Sequence, residues 1–224
     1  GNWGFGSVAA RTDALRTRLA GNGGPRYGVM ALAGHATHYE EGVPGTNPFD
    51  IQGLSTADLF GADACGTPGL GAVDLSGGVV YAVGCHGGLS VPGSCRTDAN
   101  HSLDLPETML ARGAVAYIAN SGYGWGLKFG IGYGARLLQI FTEQMTTGGT
   151  IGVGDAVRQS KQRYYLEAPR YDPYDEKSVM QWTLYGLPMY AVKTGITSGA
   201  ARPDPFAGVT THSVTDAPVP TDEL

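Results

Sequence analysis

Three short apolar runs constrain this chain most. RYGVMALA (26–33), VVYAV (79–83) and AVAYIAN (114–120) have the length and composition of buried strands, and a helix-like segment separates each from the next. STADLFG carries Ser55 or Thr56 as a cap, while Pro106 opens PETMLAR and Gly113 stops it. Ser7 caps a further helix over 8–20. Helical patterning returns over 137–145, 154–167 and 175–185, and PMYAV (188–192) reads as a last strand. Strands alternating with helices predict an α/β fold with a largely parallel sheet covered by helices on both faces.

At 224 residues with 42% hydrophobic content, the chain can bury one sizeable core. The reading assigns 1–195 to one domain and the Pro-rich stretch 196–224 to a linker or the start of a following domain. The net charge of −5 comes with no basic stripe, so nucleic acid is not an expected partner. No apolar run approaches the roughly 18 residues of a membrane span.

In a parallel sheet, ligands gather at the carboxyl ends of the strands. The first run ends in Gly34-His35, the second in Gly84-Cys85-His86, and the third in Asn120-Ser121-Gly122-Tyr123. A thiol and an imidazole brought to one edge form a nucleophile and its base, and the imidazole can then protonate a leaving amine. The glycines around Cys85 let backbone N–H groups approach a substrate carbonyl, as an oxyanion hole requires. Tyr123 and Trp125 follow in a Gly-aromatic loop and offer flat surface for a substrate side chain.

Two other readings of the same residues stand beside this one. Cys85 alone is also what a small buried hydrophobe looks like. HATHYEE, with His35 and His38, could join Cys85 and His86 around a metal, although no HExxH or CxxC accompanies it. GIGYGA (130–135) fits a dinucleotide fingerprint only weakly, because no second strand ending in an acidic residue follows its helix. The cysteine count is odd. Cys65 and Cys95 flank the Cys85 strand in turn-rich segments, where they could pair and leave Cys85 free.

VVYAVGCHGG, LPETMLARGAVAYIANSGYGWG, GVGDAVRQSKQRYY and SVMQWTLYGLPMYAV, in this order after a strand ending in Gly-His, resemble the gingipain-type family of cysteine peptidases in the caspase–gingipain clan. The likeness runs from about residue 26 to 195 and implies a caspase-like fold. It implies His35 as catalytic base and Cys85 as nucleophile, with the N–H groups of Ala36 and Cys85 as the oxyanion hole. The clan usually carries Gly where this chain has Ala36. Trp125 matches the aromatic wall of the specificity pocket. With it, Gly84, His86, Asn120, Ser121 and Tyr123 are the expected pocket residues.

The resemblance further implies strands before the His-bearing one, which the short segment ahead of it does not supply. An upstream segment of the same precursor is therefore an expected partner beside a protein or peptide substrate. It also implies a following β domain after about residue 196 and a bacterial, extracellular or cell-surface setting. No cofactor or catalytic metal is expected, and a structural calcium is not readable from sequence. Three activities share this pattern: a hydrolysing endopeptidase working through a thioester acyl-enzyme, a sorting transpeptidase of a secretion system, and an inactive caspase-like binding module.

Overall fold

A computed structural model describes residues 8–20, 27–42, 53–61, 72–91, 94–96, 99–101, 103–127, 130–146 and 149–194. In chain order the elements are α1 (Val8–Leu19), β1 (Val29–Leu32), β2 (Glu40–Gly42), β3 (Gly53–Ser55), α2 (Thr56–Phe60) and β4 (Val79–Ala82). Then come β5 (Ser94–Arg96), β6 (Ala99–His101), α3 (Leu105–Ala111), β7 (Ala116–Asn120), α4 (Gly134–Thr146) and β8 (Gly149–Gly152). The described chain finishes with α5 (Val153–Glu167), α6 (Pro173–Gln181), β9 (Trp182–Gly186) and β10 (Ala191–Thr194). The cap expected at Ser7, Cys65, the Cys95 side chain and the tail from 196 lie outside the described residues.

The central sheet has the order β1-β4-β7-β9, with β1, β4 and β7 parallel. This is the α/β, caspase-like arrangement expected. Strands β4 and β7 are buried at every position, as the middle of a doubly covered sheet requires. Their side chains alternate between two cores. Val80, Ala82, Tyr117 and Ala119 meet Leu19 of α1, Leu59 of α2 and Met109 of α3. Val79, Tyr81, Ala116 and Ile118 meet Leu137, Ile140 and Phe141 of α4 and Val153 and Ala156 of α5.

The helices begin where local chemistry allows. Ser55 caps α2 in a capping box with Asp58, and Gly61 ends that helix at φ +100°. Asp104 caps α3 reciprocally with Glu107, one residue earlier than Pro106 suggested. No helix among the described residues is long and apolar enough to cross a membrane.

Two expectations need correction. The helix expected over 175–185 stops at Gln181, and 182–186 forms β9, antiparallel to β7. Trp182 is buried against Phe141 and donates its indole N–H to Ala82 O at 2.9 Å, so tertiary packing overrides helix continuation. The last strand lies later than 188–192 and pairs with β8 outside the central sheet. Leu187 and Pro188 are held at the sheet's border, where Leu187 N–H donates to Val115 O and Pro188 O accepts from Gly154 N–H. The hairpin β2–β3 falls partly in what read as loop.

Candidate active site

Because β1, β4 and β7 are parallel, their carboxyl ends share one edge. The β1 and β4 ends are nearly in contact. A Cβ placed on Gly84 would sit 2.5 Å from Ala36 Cβ and 2.9 Å from Gly34 O. His35 lies between Gly34 and Ala36 and Cys85 follows Gly84, so the two leave neighbouring strand ends, with His35 exposed and Cys85 half-buried.

Ala36 opposes Glu41 in an antiparallel bridge. Its flanking bonds are Gly42 N–H to His35 O at 2.6 Å and Thr37 N–H to Glu40 O at 2.9 Å. That pattern leaves the N–H of Ala36 pointing out of the hairpin, and its nitrogen lies 3.0 Å from the Cβ position of Gly84. His86 and Tyr133 are the non-glycine residues with positive φ among those described, so Ala36 holds ordinary backbone angles without needing a glycine.

The Cys85 thiol is free. Gly124 N–H points at its sulfur from 3.3 Å, and the sulfur lies 3.7 Å from Gly124 O. This closeness depends on a bare glycine: a Cβ on Gly124 would run into Val83 O and lie 3.2 Å from Asn120 Nδ2.

The loop after Cys85 is braced from several sides. His86 adopts φ +56° and donates its N–H to Gly122 O at 2.7 Å. Gly88 N–H donates to Asn120 O at 2.8 Å, Tyr117 OH to Gly87 O at 2.9 Å, and Tyr185 OH to Gly88 O. Asp104, besides capping α3, accepts from Val91 N–H at 2.8 Å. Burial, with Glu41 and Asp104 nearby, holds the Tyr117 hydroxyl protonated well above its ordinary range, so it stays a donor.

The expected pocket residues separate by role. Gly84 and Asn120 are buried, and Asn120 Nδ2 donates to Val83 O at 3.0 Å, tying the β7 end to the β4 end. Ser121 Oγ donates to Gln181 O at 3.2 Å. Tyr123 is exposed and meets the His86 ring edge-on at 4.5 Å. Trp125 packs edge-on against Tyr174 at 4.7 Å, with Lys177 Nζ 5.9 Å from its ring centre. Its indole N–H is buried without a hydrogen-bond partner.

Sequence reasoning passed over Gly124, Tyr117, Tyr185 and Asp104. Only the capping box D-x-x-E signalled one of them. Among the described residues, no three His, Cys, Asp or Glu side chains gather as a metal ion would need.

A scan against protein-family models matches residues 78–193 to peptidase family C25. The matched span contains Cys85, its braced loop and the Gly124 loop, and it begins after His35. No curated protein matches the chain.

Proposed function

The chain belongs to peptidase family C25, a family of cysteine peptidases, and on that premise we propose that it hydrolyses peptide bonds with Cys85 as nucleophile and His35 as base. The Cys85 sulfur attacks the peptide carbonyl carbon while His35 takes the thiol proton. The carbonyl oxygen becomes an oxyanion facing the N–H groups of Ala36 and Cys85. Collapse breaks the C–N bond, and the imidazolium gives its proton to the leaving amine. Water, deprotonated by His35, then cleaves the thioester and regenerates the thiol. Tyr123 and Trp125 flank the thiol loop as walls for substrate side chains. The family resemblance also supports an extracellular or cell-surface setting.

The observation that carries this reading is the near contact of Gly84 with Gly34 and Ala36, which sets His35 and Cys85 at adjacent strand ends. The test is a positional-scanning peptide library with the wild type, Cys85→Ala and His35→Ala, with product masses read with and without an added amine. Both variants should lose nearly all cleavage, and iodoacetamide should abolish it in the wild type. Full activity in Cys85→Ala would overturn the reading. Amine-capped products would shift it from hydrolysis to transpeptidation.

A further inference from the structure

Asn120 ends β7 and is 2% exposed, too buried to wall a substrate pocket. Its amide nitrogen donates to two consecutive carbonyls beyond β4, Val83 O at 3.0 Å and Gly84 O at 3.4 Å. An amide NH2 has two hydrogens to give, and both carbonyls lie on the stretch that delivers Cys85. The side chain is a prop beneath that backbone.

Gly84 O and the Cys85 N–H belong to one peptide unit. In a trans peptide the C=O and N–H point in opposite directions, so fixing the carbonyl also fixes the N–H. With Gly84 O turned to Asn120, the Cys85 N–H is aimed away from the amide. A hydrogen bond received at the carbonyl also polarises the peptide, and the N–H at its far end becomes a stronger donor. The sulfur itself is held by other groups: its contacts are Gly124 N–H and Gly124 O. The Asn120 main chain has a separate task, since its carbonyl accepts from Gly88 N–H at 2.8 Å without using the side chain.

We propose that Asn120 is a positioning residue for the oxyanion hole, its amide orienting and polarising the Gly84–Cys85 peptide so that the Cys85 N–H meets the charge developing on the substrate carbonyl oxygen. This rests on the reading of Cys85 as nucleophile. Asn120 touches neither the substrate nor the sulfur. It acts through the peptide between them, and it is in place before the oxyanion forms, so nothing reorganises at that moment. Its benefit is confined to states with a negative oxygen, the tetrahedral intermediates of acylation and deacylation. Thiol ionisation and ground-state binding do not draw on it.

The test compares the 224-residue wild type with Asn120→Leu and Asn120→Asp, which keep the side-chain bulk and lose the amide donors. Three probes are used: the best-cleaved tetrapeptide of the library as an anilide, the same tetrapeptide as an aldehyde, and iodoacetamide. The aldehyde adds to the thiol as a hemithioacetal whose oxygen stands where the oxyanion would. Iodoacetamide alkylates the sulfur and needs no hole. Both variants should lower kcat about ten- to a hundredfold with KM nearly unchanged, less than the roughly 10²–10³-fold of deleting a hole donor outright. Aldehyde affinity should fall by a similar factor, while the rate and pH dependence of alkylation stay those of the wild type. A kcat within about twofold of the wild type would overturn the proposal. So would alkylation that slows in step with kcat, because the amide would then be holding the thiol or the Gly124 loop: a Cβ on Gly124 would lie 3.2 Å from Asn120 Nδ2. Circular dichroism checks the fold, and Asn120→Asp carries the comparison if Asn120→Leu does not fold. A wild type that cleaves no peptide would remove the hydrolase reading and this proposal together; an active wild type with equally active variants removes the proposal alone.

Discussion

Gly124 N–H lies 3.3 Å from Cys85 Sγ, so the loop after β7 touches the thiol at the end of β4 through bare backbone. A methyl group at 124 would run into Val83 O, and the loop would have to withdraw. Gly124→Ala is expected to cost about 1–3 kcal/mol of stability, as overpacking does. It should also lower kcat/KM by more than the stability loss explains. Urea midpoints and peptidase rates measured together check this; an unchanged kcat/KM would show that the loop contact has no catalytic weight.

Asp104 serves two elements, capping α3 and accepting from Val91 N–H in the thiol loop. Asp104→Ala should cost roughly 2 kcal/mol, a cap plus one buried hydrogen bond. Asp104→Asn has one acceptor oxygen for the two N–H groups that Oδ1 and Oδ2 now serve, so it should recover only part of the loss. If the two variants melt at the same temperature, the carboxyl is not the brace described.

His86 sits at φ +56°, where a β-branched residue is strained. His86→Val should destabilise by about 1–3 kcal/mol. His86→Asn, which tolerates that backbone, should cost less and remove only the contact with the Tyr123 ring. Thermal unfolding of the pair decides it: equal losses would assign the cost to the ring and not the backbone.

Glu41 gives a pH dependence with a definite sign. Burial raises its carboxyl from 4.5 to about 8 in the folded chain. Between those values the folded state holds a proton that the unfolded chain gives up, so stability falls as pH rises from about 4.5 and levels off above about 8. The total is on the order of 5 kcal/mol at 1.36 kcal/mol per unit. Urea midpoints from pH 4 to 9 should slope in the wild type and flatten over that range in Glu41→Gln; a persisting slope would rule out Glu41 as its source.

What could be read in the amino acids follows from where the information is local. β1, β4 and β7 are apolar runs whose ends could be located from composition, and the cap Ser55 announces its helix within four residues, whereas the capping box of Asp104 was passed over in favour of Pro106. β9 was not legible because WTLYG follows directly on a helix and becomes a strand only through its pairing with β7 and the burial of Trp182. Glu41 reads as a surface acid in HYEEG, and only its position opposite Ala36 buries it. Gly124 looked like any glycine in a glycine-rich loop; its meaning lies in a contact with Cys85 across 39 residues.

The late position of β9 sets an order for biosynthesis. The bonds from Trp182 to Ala82 and from Tyr185 to Gly88 close across 100 and 97 residues. A ribosome therefore releases Cys85 long before the elements that hold its loop exist. During that interval the loop after Cys85 lacks the Tyr185 bond, and the end of β4 lacks the Trp182 bond, that brace them in the finished sheet. Ribosome-bound chains stalled before Trp182 should accordingly show no turnover, and chains extended beyond the last described strand should acquire it in a single step.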